Sequence, residues 1–382
     1  MKREIGFLLP KSVIYPTINF DLVAGLRLGL QSSSITDVQI TTASIGIAGD
    51  DKLIYARCEK MLMDDIRIVV AYINPITAEK LSPLFESGNA LLIALDAGYH
   101  YPSKLIKLPN VFFLSLQGAL CCRMITKIAV NDGAKKIAYA GSFYESGYRS
   151  AYAFYKCMDE EGGSITYNHI TQLSRKDFSL APLTEHLKTA SVDAVFASFC
   201  GDMLQDFYAA AGRENIFSRH PVYGSPFMAE EQWLAKTPYP GIEVKTCIPW
   251  AAALDNQENQ EFKTWMSGND QRANIFSLLG WEAARLVAAI KDSNTQQAIT
   301  CLEGFTFNSP RGKVTVSAAN HRSNAPVYEA VVQENKMTGN CLLAGVMESA
   351  LTAEQHQKLE NDIQTVEGSF TSWLNAYPCL ES

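Results

Sequence analysis

Nine cysteines, six histidines and 40 acidic side chains are the groups in this 382-residue chain that could hold a metal, exchange a disulfide or move a proton. Their spacing does not assemble them. The cysteines (58, 121, 122, 157, 200, 247, 301, 341 and 379) are odd in number and contain no Cys-x-x-Cys, the pattern that zinc sites and dithiol redox centres use. Neither a disulfide framework nor a zinc site is expected, and most of these residues read as reduced, small buried hydrophobes. The histidines at 100, 169, 186, 220, 321 and 356 show no metal-ligand spacing. Gly-x-Gly-x-x-Gly, Gly-x-Ser-x-Gly, a phosphate loop and His-Glu-x-x-His are all missing. The expectation is no enzyme, no cofactor and no metal, which leaves non-covalent recognition.

Three polar positions fall where alternating strands and helices leave binding groups. Thr77, in Asn74-Pro75-Ile76-Thr77, lies between an apolar run and a helical stretch; it could cap that helix or meet an anion, and its neighbours' amide groups face the same place. Asp96 closes the apolar run Ala90 to Leu95, where it would either cap the turn before Gly98 or attract an amine or amide donor. Asp202, in Phe199-Cys200-Gly201-Asp202, would either face a binding site or cap a helix from Met203 onward, with capping favoured. Trp250 and Phe276 could form an aromatic wall or fill the core.

The elements that must position these residues alternate along the chain. Ile5 to Leu9 reads as a strand, Pro10 to Asn19 as a loop, and Leu22, Leu26 and Leu30 recur at helical spacing. A helix around 56–63, a strand 66–73, a helix 77–86 and a strand 90–95 continue the series. A second series follows: helix 120–131, strand 136–140, helix 147–161, strand 165–170, helix 180–189, strand 194–199, helix 204–212, strands 222–224 and 242–249, then helices 258–266 and 275–290. Beyond Val332, residues 352–366 read as an appended helix, and Phe370, Trp373 and Tyr377 as an aromatic cap. Strand-helix alternation predicts parallel sheets covered by helices.

Composition narrows the partners. Hydrophobic residues make up 47% and charged residues 19% of the chain, which is the balance of a well-cored globular protein. A net charge of -7, with no block of Lys or Arg, argues against nucleic acid. Apolar runs are strand-sized, so no membrane insertion is expected. The first apolar stretch ends at Pro10, too soon for a signal peptide, so the sequence as it stands predicts no export signal.

Ile5-Gly6-Phe7-Leu8-Leu9-Pro10 followed by Gly25-Leu26-Arg27-Leu28-Gly29-Leu30, then Asp177-Phe178-Ser179 ahead of Asp193-Ala194-Val195-Phe196, and Phe-x-Phe-Asn-Ser-Pro-Arg-Gly-Lys-Val from Phe305 to Val314 form an ordered set. Over about residues 4–333 the chain resembles the type I periplasmic binding proteins, in particular the leucine/isoleucine/valine-binding group of ABC-importer receptors. The resemblance implies an α/β fold of two Rossmann-like doubly wound lobes joined by three crossovers. Lobe one would be 1–117 plus 251–325, and lobe two 118–250 plus 326–382 with a C-terminal extension. Hinges would lie near Gln117, Trp250 and Ala325.

The same resemblance implies a ligand in the interlobe cleft. Lobe one would supply Ser12 and Tyr15 from the loop Lys11 to Tyr15, with Asn74, Thr77, Asp96, Ala97 and Phe276. Lobe two would supply Tyr144 and Ser146 with Tyr148 close by, then Cys200, Asp202 and Ser225, and Trp250 would stand at a hinge. Two departures are visible: Asp96-Ala97-Gly98 lacks the hydroxyl that grips an amino acid's carboxylate in the family, and Ser225-Pro226 stands where its amino-acid receptors often place a glutamate. The implied function is binding of a small polar solute, amino-acid-like or bearing an amine or amide, as the receptor of an ABC importer with the transporter's membrane subunits as partner. A cytosolic ligand sensor of the amide-regulator kind, with a regulatory protein as partner, is the alternative. Location follows the same division, periplasmic by resemblance and cytoplasmic by the missing export signal.

Overall fold

The run from Ile5 to Leu9 is buried along its whole length because its strand lies inside a parallel sheet with helices on both faces. The structure is a computed structural model that describes residues 3–47, 49–142, 150–172, 174–236, 238–239, 241–290 and 293–366. Its described residues divide into two units, one up to Leu116 together with Ala252–Pro326, the other Gln117–Ala251 together with residues 327–366. The chain passes between them at 116/117, 251/252 and 326/327.

Unit 1 begins with β1 (Arg3–Pro10), α1 (Ile18–Ser32), β2 (Val38–Gly46), α2 (Asp51–Met63), β3 (Ile68–Tyr72), α3 (Pro75–Ser87), β4 (Leu91–Asp96) and β5 (Val111–Ser115). The strands form one parallel sheet in the order β2-β1-β3-β4-β5. On one face Val69, Ala71, Leu92, Ala94 and Phe113 pack against Cys58, Leu62, Leu81 and Phe85 of α2 and α3.

In unit 2, α4 (Gly118–Asn131) leads to β6 (Lys136–Gly141), α5 (Ser150–Glu160), β7 (Ser164–Ile170), α6 (Ala181–Thr189), β8 (Ala194–Ser198) and α7 (Gly201–Arg213). The short α8 (Ile216–Arg219), β9 (Val222–Gly224), the short α9 (Glu231–Leu234) and β10 (Glu243–Ile248) follow. Phe154 stacks on Phe196 at 4.0 Å, and Tyr139, the register partner of Phe196 on β6, stacks on it at 5.8 Å and also meets Phe154.

The chain then completes unit 1 with α10 (Gln257–Ser267), α11 (Ile275–Ala289), α12 (Thr295–Leu302) and a small antiparallel sheet of β11 (Thr306–Ser309), β12 (Gly312–Val316) and β13 (Ser323–Asn324). Helices α1 and α11 lie backbone to backbone. A Cβ on Gly25 would come within 2.0 Å of the Ser277 carbonyl oxygen, and one on Gly280 within 2.1 Å of the Leu22 carbonyl oxygen. Glycine is required at both for steric reasons.

Unit 2 closes with β14 (Tyr328–Glu334), β15 (Cys341–Glu348) and α13 (Thr352–Val366). Its sheet runs β15-β14-β10-β9-β8-β6-β7 and is parallel from β10 to β7. The two strands beyond β10 pair antiparallel, which corrects the expectation of wholly parallel sheets. The α/β class of the sequence reading is what the structure has. The expected aromatic cap at Phe370, Trp373 and Tyr377 lies outside the described residues.

The late turn singled out in the sequence has a structural task. Arg311, at the β11–β12 turn, is fully buried and forms a two-pronged pair with the equally buried Glu282 of α11, both bonds 2.7 Å. Ser309 also donates to Glu282 at 2.6 Å, and the third Arg311 nitrogen donates to the Ser115 carbonyl at 2.9 Å. One guanidinium therefore fastens the hairpin to α11 and to the end of β5.

Candidate functional site

Parallel strands end together, so the loops leaving their carboxyl ends collect in one place on each sheet. In unit 1 the loop after β1 is set by Ser12, whose hydroxyl accepts the Tyr15 N–H at 3.0 Å. Tyr15 is buried, edge-on to Phe276 at 5.1 Å, and Tyr72 at the end of β3 meets the same ring at 6.4 Å. Phe276 is held at the start of α11 by a capping box in which Asn274 accepts from the amides of Phe276 and Ser277. The sequence-predicted Tyr15 and Phe276 thus come together. A shallow pocket opens beside Tyr72, lined by Pro10, Ile45, Gly46, Asn74 and Thr77 among others.

Asn74 and Thr77 exchange the roles expected of them. Asn74 is the N-cap of α3 and accepts the Thr77 N–H at 2.9 Å, because the residue before Pro75 is held in extended backbone, the conformation an N-cap takes. Thr77 does not cap; its hydroxyl donates to Asp51 at 2.8 Å, tying α3 to the start of α2.

Asp96 and Ala97 are both buried at the end of β4. Asp96 is not an isolated acid. The guanidinium of Arg322, laid over the Phe113 ring at 4.1 Å, is pushed below its ordinary pKa by burial, and the negative charges of Asp96 and Glu79 act against that shift. An ammonium group brought to Asp96 would come within the field of the Arg322 charge.

In unit 2 the corresponding edge is rich in hydroxyls. Ser142 follows β6, Thr171 follows β7, Ser198 ends β8 and Ser225 follows β9. The main chain holds them in a row: Ser142 N–H donates to Ser198 O at 3.2 Å, Thr171 N–H to Gly141 O at 3.0 Å and Ser225 N–H to Ala197 O at 2.9 Å. The hydroxyls of Thr171 and Ser225 are buried and make no hydrogen bond among the described residues. Thr171 was not foreseen. The signal that could have found it is its place one residue past an alternating strand, beside the end of β6.

Cys200 is the N-cap of α7 and is disulfide-bonded, so it offers no thiol to a ligand. Cys200 is thus an exception to the expectation of mostly reduced cysteines. Cys58, Cys121, Cys122, Cys157, Cys247, Cys301 and Cys341 are not disulfide-bonded. Pairing between distant residues is set by how the chain folds back, which spacing alone does not reveal. Asp202 does not cap α7 either. The helix starts at Gly201, which puts Asp202 in the first turn, where its carboxylate meets Arg175 at 3.0 Å and complements the helix dipole. Trp250 is buried just past β10. Tyr144 and Ser146 lie outside the described residues, as does Tyr148.

The model of the family described as periplasmic binding protein matches residues 3–337. The chain belongs to that family. Among curated relatives, the Leu/Ile/Val-binding protein homolog 6 of Brucella suis biovar 1 is 20% identical over 280 residues, 71% of each chain. Among solved structures, the solute-binding protein of an ABC transporter from Rhodopseudomonas palustris BisB5, in complex with 3,4-dihydroxybenzoic acid, superposes with a TM-score of 0.73 at 18% identity, covering 91% of this chain and 97% of its own. A counterpart from strain HaA2 in complex with p-hydroxybenzoic acid gives 0.75 at 18% identity, covering 91% and 96%. The leucine-, isoleucine-, valine-, threonine- and alanine-binding protein of Brucella ovis, in a closed conformation, gives 0.72 at 13% identity, covering 91% and 95%. The family expected from the sequence is the family found.

Proposed function

We propose that this chain is the solute-binding component of an ABC importer and binds a small polar solute without catalysis, with groups at the carboxyl edge of the unit 2 sheet taking part. The observation that carries the reading is the row of hydroxyls at the ends of β6, β7, β8 and β9, in which Thr171 and Ser225 are buried without a hydrogen-bond partner among the described residues. A buried hydroxyl left unpaired costs free energy, and a ligand oxygen or nitrogen would satisfy it. The ring group of Tyr15, Tyr72 and Phe276 in unit 1 supplies apolar surface for a carbon skeleton. The relatives are transporter components, which supports the importer reading over the cytosolic sensor.

The test begins with native mass spectrometry of the protein as purified, to identify any solute carried with it. Calorimetric titration of stripped protein follows, with 4-hydroxybenzoate, benzoate and leucine as the first probes, chosen because structural relatives are complexes with such acids or are named for such amino acids. Saturable one-to-one binding of a co-purified solute or of one of these probes is the expected result. Neither a carried solute nor saturable heat with any probe would overturn the proposal.

A further inference from the structure

Helix α13 has little apolar surface to hold it in place: its buried positions are Gln355, Asp362 and Ile363. Charge fastens it instead. Arg123 of α4 is fully buried and donates both to Glu160 of α5 and to Asp362 of α13, itself only 2% exposed. A second set lies beside it, in which Lys127 of α4 and Lys358 of α13 both reach Glu161, and Lys358 also reaches Glu354 at 3.2 Å. Glu160 and Asp362 thus converge on one guanidinium, two carboxylates against a single buried positive charge. Like charges held this close disfavour ionisation of both, so the pair is a site where a proton is taken up.

We propose that α13 is a proton-gated latch, whose docking onto α4 and α5 takes up a proton at the Glu160–Asp362 pair and tightens as the solution becomes more acidic. The charged and titratable groups that face this pair are Arg123 and Lys127 on α4, Tyr152, Lys156 and Cys157 on α5 with Glu161 just past its end, and Lys358 and Glu354 on α13. His356 pairs with Glu360 on its own helix at 3.8 Å. Burial pushes Asp362 up to about 6, with the charge of Glu160 adding to the rise and that of Arg123 opposing it. Glu160 goes the other way: burial raises it, but the hydrogen bond and charge of Arg123 bring it below the usual range. Asp362, the more buried of the two, is therefore the one that takes the proton.

The sign follows. Asp362 binds its proton more tightly docked than released, so docking strengthens as pH falls through about 6. Below the ordinary range of a glutamate, the lowered Glu160 reverses the trend.

Hydrogen exchange of the full chain, read by mass spectrometry on peptides within 352–366 and corrected for intrinsic rates, is the test. Protection of α13 is expected to rise roughly tenfold between pH 8 and pH 5. In D362N an amide N–H replaces the acid proton, and the profile should be flat over that interval. E160Q supplies the same donor from the other side and should flatten it too, which guards against one variant failing to fold. H356Q should keep the rise. Wild-type protection that does not increase towards pH 5, an increase that survives in both D362N and E160Q, or one that vanishes in H356Q would overturn the proposal.

Discussion

Glu282 and Arg311 are a fully buried ion pair whose two partners come from different elements, and most of their value lies in each preventing the other from being stranded. Changing Glu282 to Gln leaves the guanidinium buried without a counter-charge, and should cost about 3–5 kcal/mol in urea unfolding. A paired replacement, Glu282→Leu with Arg311→Met, should recover much of that loss, because it removes both charges at similar volume. At the proposed site, Ser225→Ala should weaken binding of the co-purified solute by roughly two- to tenfold in calorimetry, the effect of one hydrogen bond of about 0.5–1.5 kcal/mol. Alkylation after unfolding without reductant should label the seven cysteines that are not disulfide-bonded and leave Cys200 unlabelled until a reductant is added. These residues also show where sequence reading stops. The polar character of positions 74, 77, 96 and 202 was legible. Their partners, Asp51 for Thr77, Arg322 for Asp96 and Arg175 for Asp202, lie 26, 226 and 27 residues away, and only the folded chain selects them.

Most elements with both faces covered were legible, although β5, buried over nearly its whole length, was not read from the sequence. The continuous apolar runs of β3, β4 and β8 are buried throughout and read directly as parallel strands. β2 is an edge strand whose residues are mostly half-buried or exposed, and its run of Thr, Ala and Ser carried too weak a pattern to be read. β15, at the other sheet's edge, is similar. The α1–α11 contact was visible only as glycines in an apolar helix. Gly280→Ala would drive a methyl group to 2.1 Å from a backbone oxygen, so the two helices must separate; a loss of about 1–3 kcal/mol or more is expected in denaturant unfolding. Gly212→Ala is the matched control. It sits in α7 with open space around it, and the same change there should stabilise by about 0.4–1 kcal/mol.

At the level of the whole chain, the family was legible because it rests on the order of many segments, each weak alone, and the match over 3–337 covers nearly the span expected from them. The ligand was not, because it depends on a few side chains whose surroundings are set by tertiary contacts. A solute that binds the folded chain must raise its unfolding temperature, with about 2.7 kcal/mol of added stability at a hundredfold excess over Kd. A thermal scan of the stripped protein with and without the co-purified solute checks this. The interleaving of the two units also sets a timetable for synthesis. Helix α1 leaves the ribosome early, but α11, which covers its glycine-lined face, follows only after all of unit 2 as far as Ala251. At typical elongation rates of about 5–20 residues per second, the ~250 residues between them take roughly 12–50 s. For that interval the apolar side of α1 stands without its native cover, so the nascent chain is the form of this protein most in need of a chaperone.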